Sequence, residues 1–111
     1  MLRGSYGKLL VYASNFAYCE KRLKNVNIAA KKMAKMLGLD VKVITFREKT
    51  TVIYVYYQNG NEEPVPIYCD KGKGNNVQDI YTNLRKMLFV LSFHPKHSAL
   101  KKIRKEIIRF F

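Results

Sequence analysis

The sequence is short of cysteine and has no long apolar run. Its 111 residues include two cysteines, Cys19 and Cys69, which are too few for a disulfide scaffold. Neither cysteine has a second cysteine or a close histidine at the spacing of a metal site, so we expect two reduced thiols. No stretch approaches the roughly 20 apolar residues of a membrane-spanning helix. We therefore expect neither a disulfide framework nor a membrane span.

Acidic residues are scarce as well. Eight Asp and Glu stand against 21 Lys and Arg, which gives a formal net charge of +13. Such an excess on so small a chain indicates a polyanionic partner, because positive charge attracts polyanions at long range. Nucleic acid is the first candidate for that partner, and an anionic membrane surface is the second.

Four segments have the composition of β-strands, and hydrophobic residues make up 48% of the chain. The segments are rich in branched and aromatic residues; they are 8–13, a run that begins at residue 40, 50–57 and 64–68. Asn59-Gly60 predicts a two-residue hairpin turn, with residues 54–57 paired antiparallel to residues 65–68. Pro64 and Pro66 lack a backbone donor, which places the last strand at an edge of the sheet. The first strand is predicted in the middle.

Two helices are predicted from apolar positions that recur every three to four residues. The first covers 20–37 and ends at Gly38, with Leu39 folding back as in a Schellman cap. The second follows the helix cap Asn76. The apolar stripes are Val26, Ala30, Met33 and Leu37 on the first helix, and Val77, Ile80, Leu84, Leu88 and Leu91 on the second.

The order of these elements predicts an α/β fold. A strand, a crossover helix and a second strand imply parallel pairing, and the hairpin adds two antiparallel strands. The result is a mixed four-stranded sheet in the order β-α-β-β-β-α, which forms one domain over residues 1–92. Residues 93–111 are predicted to be a basic C-terminal helical extension, capped by Ser98 and carrying the apolar residues Leu100, Ile103 and Ile107.

Three short motifs suggest chemistry, but each is incomplete. His94 and His97 have the i, i+3 spacing of metal ligands, yet no carboxylate or thiol stands near them in sequence. Asp70 and the acids at 62–63 do not have a lysine in the register of a nuclease motif. The segment 71–74 lacks the full spacing of a phosphate-binding loop. We therefore predict no catalytic residue, metal, cofactor or small-molecule substrate.

The basic residues give the stronger functional signal, because they form one cluster on the first helix and another in the C-terminal extension. Contacts to several phosphates release counterions and give strong, salt-sensitive binding with little sequence reading. Tyr12, Tyr18 and Tyr57 are candidates for stacking on bases, with core packing or cross-strand pairing as the alternative. The residues predicted to bind RNA are Arg3, Lys8, Lys21, Arg22, Lys24, Lys31, Lys32, Lys35, Lys96, Lys101, Lys102, Arg104, Lys105 and Arg109.

Several stretches resemble one known family. They are Leu2-Arg3-Gly4 ahead of Lys8-Leu9-Leu10-Val11, the hairpin Tyr56-Tyr57-Gln58-Asn59-Gly60 leading to Val65-Pro66-Ile67, the helix from Asn76 to Met87, and His94-Pro95 with Ser98 following. They resemble the thioredoxin-like domain that is shared by two mitochondrial ribosomal proteins, one in each subunit, and a small accessory subunit of respiratory complex I. The large-subunit member is the most similar.

That resemblance implies a thioredoxin-like fold and a structural, non-enzymatic protein of the mitochondrial ribosome in the matrix. Its partners would be ribosomal RNA and neighbouring mitoribosomal proteins. Redox catalysis is not expected, because Cys19 has no second cysteine three residues away. The alternatives are the small-subunit relative, the complex I accessory subunit, a small RNA-binding domain, and a ribonuclease toxin that uses His94.

Overall fold

The computed structural model describes residues 7–14, 20–47, 52–71 and 76–93. They form an α/β domain with a mixed four-stranded sheet and two helices, which confirms that part of the predicted fold. The predicted C-terminal helix, including its cap Ser98, lies outside the described residues. The elements are β1 (Lys8–Ser14), α1 (Glu20–Leu37), β2 (Asp40–Phe46), β3 (Ile53–Gln58), β4 (Val65–Asp70) and α2 (Val77–Leu91).

The sheet has the strand order β2-β1-β3-β4. β1 pairs in parallel with β2, where Val11 lies opposite Val43, and antiparallel with β3, where Val11 lies opposite Val55. β3 pairs antiparallel with β4, and the register shifts between Val55 and Tyr56. The predicted positions of β1 inside the sheet and of β4 at an edge are both confirmed.

The connection from β3 to β4 is longer than the predicted two-residue turn. It covers residues 59–64, and the Glu62 amide donates to the Asn59 carbonyl oxygen at 3.1 Å. Gly60 has φ +59°, but among the described residues only glycines have positive φ, so Asn59 does not adopt the left-handed conformation of an Asn-Gly hairpin turn. Pro64 has no amide hydrogen to extend the ladder, and pairing begins after it, at Val65.

The two predicted helix caps that fall within the described residues are confirmed. Gly38 follows α1 with φ +72°, and the Leu39 amide donates to the Ala34 carbonyl oxygen at 2.9 Å, which is the long hydrogen bond of a Schellman motif. At the start of α2, the side chain of Asn76 accepts a hydrogen bond from the Asp79 amide at 2.8 Å. Each cap satisfies backbone groups that the helix itself leaves without a partner.

One hydrophobic core lies between the two helices and one face of the sheet. Alternate residues of β1 enter it, so Leu9, Val11 and Ala13 are fully buried, and the central residues of both predicted helix stripes are buried with them. The helices leave the opposite sheet face uncovered. Over the described ranges, neither helix is long and apolar enough to cross a membrane.

Candidate nucleic-acid interface

Five exposed lysines of α1 form what we call the lysine stripe: Lys21, Lys24, Lys31, Lys32 and Lys35. An α-helix turns about 100° and rises about 1.5 Å per residue, so the five side chains fall within an arc of about 100° and a length of about 21 Å. The buried apolar residues lie on the other side of the helix. The periodicity that buries one face of α1 therefore gathers its lysines on the solvent side.

The lysine stripe carries positive charge that the described part of the chain does not neutralise. Within that part, none of its ammonium groups lies within ion-pair distance of a carboxylate. Lys32 is the member with a ring contact, since its Nζ lies 4.8 Å from the centroid of the Tyr81 ring on α2. Lys35 lies in the last turn of α1, where a cation is favoured by the helix dipole.

Arg22 stands apart from the lysine stripe. Its Nε and Nη2 donate to Oδ1 of Asp70 at 3.1 and 2.9 Å, and Nη2 also donates to the Asp70 carbonyl oxygen at 2.9 Å. The Asp70 side chain is 1% exposed and that of Arg22 is 16% exposed. The guanidinium therefore links α1 to the end of β4. Its acceptor, Asp70, is one of the acids that form an incomplete nuclease motif in the sequence.

The remaining basic residues of the prediction divide between the sheet and the undescribed segments. Lys8 is half-buried at the start of β1. Among the residues that the structure describes, no group of three or more His, Cys, Asp or Glu could hold a metal ion. His94 and His97 lie outside those residues, as do the predicted contacts Arg3, Lys96, Lys101, Lys102, Arg104, Lys105 and Arg109, which stay predictions.

Of the two roles considered for Tyr57, base stacking and packing within the sheet or core, the structure shows core packing. Its ring is fully buried on the core face of β3, where no ligand reaches it. Burial, with a smaller contribution from the charge of Glu62, raises the pKa of Tyr57 to about 12 from 10.0. Tyr12 is half-buried on the opposite face of the sheet, and Tyr18 lies outside the described residues.

Tyr54 and Tyr56 of β3 share the uncovered face with Tyr12, although neither was among the predicted stacking residues. Tyr54 and Tyr56 alternate with the buried residues of β3, and this alternation was the signal that could have found them. The ring centroids of Tyr12 and Tyr56 lie 5.2 Å apart at an interplanar angle of 77°. Those of Tyr54 and Tyr56 lie 6.2 Å apart at 46°. We call Tyr12, Tyr54 and Tyr56 the tyrosine face.

A groove opens on the tyrosine face. It has a volume of about 470 Å³, and Phe46, Glu63 and Pro64 complete its lining beside the three tyrosines. Its walls are mostly aromatic and apolar, and Glu63 supplies a carboxylate. The lysine stripe and the tyrosine face thus lie on opposite sides of the domain, because α1 covers the other face of the sheet.

The structure defines a class, namely a small basic α/β domain with a cationic helix on one side and an aromatic sheet face on the other. The chain matches no protein-family model, no curated protein and no solved structure.

Proposed function

We propose that this chain is a structural, non-enzymatic RNA-binding protein of the mitochondrial ribosome, most closely of its large subunit. Neighbouring ribosomal proteins would be its other partners. The lysine stripe is the observation that carries the RNA-binding part, because it gathers five exposed cations on one helix face. The ribosomal part rests on the resemblance of the hairpin and second helix to the thioredoxin-like mitoribosomal family.

The geometry of the lysine stripe suits a phosphate backbone. A row of ammonium groups about 21 Å long can meet several consecutive phosphates of one RNA strand. Each such contact releases condensed counterions, so binding is strong at low salt and nearly independent of base sequence. A protein that supports folded ribosomal RNA needs this kind of contact rather than sequence reading. The net charge of +13 favours the same partner.

The fold supports the thioredoxin-like part of the proposal. Strand order β2-β1-β3-β4, with a parallel β1–β2 pair and two antiparallel pairs, agrees with the mixed sheet that the resemblance implies. Within this proposal, the domain keeps the scaffold of that fold without the Cys-x-x-Cys motif of its redox members. The scaffold then serves binding alone.

Charge reversal in the lysine stripe tests RNA binding directly. The variant K24E/K31E reverses two stripe residues, and K71E/K86E reverses two exposed lysines elsewhere, so both lose the same net charge. Binding of a labelled RNA hairpin is measured by fluorescence anisotropy over a series of salt concentrations. We expect the stripe variant alone to weaken binding strongly, and its slope of log K against log salt to fall by about one unit per lysine. Equal losses of RNA affinity in both variants would show that binding depends on the net charge of the chain rather than on the lysine stripe.

Sedimentation tests the ribosomal part. A tagged copy is sedimented from mitochondrial lysate, and each fraction is probed for RNA. We expect the protein to migrate with large-subunit ribosomal RNA. Migration with small-subunit RNA would favour the small-subunit relative, whereas migration with an RNA-free membrane complex would favour the complex I accessory subunit. A protein that stays at the top of the gradient would contradict all three assignments.

A further inference from the structure

We propose that the tyrosine face binds unpaired RNA bases, which stack on Tyr12, Tyr54 and Tyr56 while Lys8 and Lys42 hold the adjoining phosphates. This inference rests on the proposed RNA-binding function and deepens it. The lysine stripe would hold RNA backbone on one side of the domain, and the tyrosine face would hold single-stranded nucleotides on the other.

The three tyrosine rings are partly exposed, and their contacts with one another are not parallel stacks. Tyr54 is 37% exposed, and Tyr12 and Tyr56 are half-buried on the sheet face that the helices leave uncovered. The Tyr12 and Tyr56 rings meet edge to face at 77°, and the Tyr54 and Tyr56 rings are tilted by 46°. Neither of these two pairs is stacked in parallel, so neither contact occupies a face of both rings. Every base has a π-face that can stack on an aromatic ring.

The groove has the size and lining for a base rather than a phosphate. Its volume of about 470 Å³ lies within the roughly 300–1,000 Å³ of ordinary ligand sites. Phe46 and Pro64 give it apolar walls beside the tyrosines. Glu63 places a carboxylate at the same groove, and like charges repel, so the groove disfavours a phosphate. The charged backbone of the bound strand must therefore lie outside it.

Two lysines on the same sheet face are placed to take that backbone. Lys8 and Tyr12 are both on the uncovered face of β1, about 13 Å apart along the strand. Lys42 is exposed and lies opposite Leu10 on the neighbouring strand, which puts it on this face as well. A second hollow of about 260 Å³ includes Lys8, Gln58 and Gly60 in its lining, and there Lys8 lies beside one carboxylate, that of Asp40. An aromatic groove followed by cations is how proteins bind single strands without sequence preference.

Two alternative roles for the tyrosine face would give different experimental results. Cross-strand aromatic pairs can serve stability alone, in which case removal of a ring would change unfolding but not RNA affinity. A neighbouring protein could cover the face instead, in which case a protein rather than RNA would be released by the same substitution. The net charge of the chain favours the RNA.

The experiment compares two probes of equal length and charge. One is a fluorescein-labelled single-stranded RNA octamer of mixed sequence, and the other is an octamer with the same backbone but abasic sites. The full chain should bind the base-bearing probe more tightly, by roughly 5- to 150-fold for each stacked base. Tyr54→Ala and Tyr56→Ala should each bring this ratio down towards one, whereas Tyr54→Phe should keep it. The variant K24E/K31E should leave the ratio unchanged.

Each outcome has one meaning. Equal affinity of the wild-type chain for the two probes, or an unchanged ratio in Tyr54→Ala, overturns the inference. If Tyr54→Ala loses its far-UV circular dichroism, Tyr54→Leu replaces it, because leucine keeps apolar bulk without a ring to stack. The inference is also overturned if the substitution at the tyrosine face releases a bound protein rather than RNA. The hairpin result with K24E/K31E stands separately, so a failure of base stacking is distinguishable from a failure of RNA binding.

Discussion

Arg22, in the first turn of α1, is bound to Asp70, the last residue of β4, across 48 positions of the chain. Two nitrogens of the guanidinium donate to one carboxylate oxygen, and one of them also donates to the Asp70 carbonyl oxygen. The pair therefore fixes the start of the first helix to the edge strand of the sheet. Since Asp70 is almost fully buried, the ion pair depends on both partners.

The substitution Asp70→Ala should lower the free energy of unfolding by about 3–5 kcal/mol, because it removes the buried carboxylate that pairs with the part-buried guanidinium of Arg22. The double variant Arg22→Met/Asp70→Leu should recover much of that loss, since apolar residues of similar size need no partner there. Urea unfolding followed by circular dichroism measures both. A double variant no more stable than Asp70→Ala would show that the buried charge is not the cause.

Tyr57 should make the domain lose stability in strong alkali. The folded-state pKa is raised to about 12 from 10.0, so its contribution is fully present below pH 10 and is lost as the pH rises through 12. The loss should reach at most about 3 kcal/mol. Thermal melts of the wild type and Tyr57→Phe over this interval test it, because other titrating groups cancel in the comparison. A parallel decline of both melting temperatures would contradict the prediction.

Gly7 should tolerate no side chain. Its φ is +126°, and an added Cβ would lie 2.7 Å from the Tyr57 ring and 2.9 Å from the Gln58 carbonyl oxygen. We expect Gly7→Ala to cost at least about 1–3 kcal/mol of stability from backbone strain alone. Gly60→Ala is the matched control, because Gly60 also has positive φ, at +59°, but a Cβ there meets nothing within 4 Å. Chemical denaturation should rank Gly7→Ala well below Gly60→Ala; equal costs would argue against the contact with Tyr57.

Leu84 should be among the most costly residues of α2 to truncate. It is 0% exposed in the core between the helices and the sheet, so Leu84→Ala should lower the free energy of unfolding by about 2–5 kcal/mol. Val90 lies on the same helix but is 60% exposed, so Val90→Ala should stay within about 0.5 kcal/mol of the wild type. Urea midpoints compare the two variants. Similar losses of stability in the two variants would contradict the buried position of Leu84.

Much of the fold could be predicted because its signals are local. The bounds of α1 follow from an apolar repeat and from Gly38, whose positive φ ends the helix within one turn. The length of the connection between β3 and β4 was less predictable. Asn59-Gly60 favours a two-residue turn in isolation, but the ladder resumes only after Pro64. Two local preferences compete there, and the pairing of whole strands decides between them.

The candidate site divides in the same way. Helical periodicity predicts the lysine stripe. It also places Arg22 outside the stripe, because Arg22 follows Lys21 by one residue and each residue turns the helix by about 100°. The partner of Arg22 could not be read from the sequence, because Asp70 is distant in the chain and comes close only when β4 joins the sheet. A cluster that looked like one set of RNA contacts thus contains one residue bound inside the fold.

The sequence by itself determined which residues of each strand and helix share a side, since the periods of two and 3.6 residues are properties of the backbone. It determined the helix caps and the charge of +13 for the same local reason. Only the tertiary structure decided which side of β3 became interior. Both helices pack on the face that holds Tyr57, and Tyr54 and Tyr56 are left outside because burial is a property of the packed layers rather than of the strand.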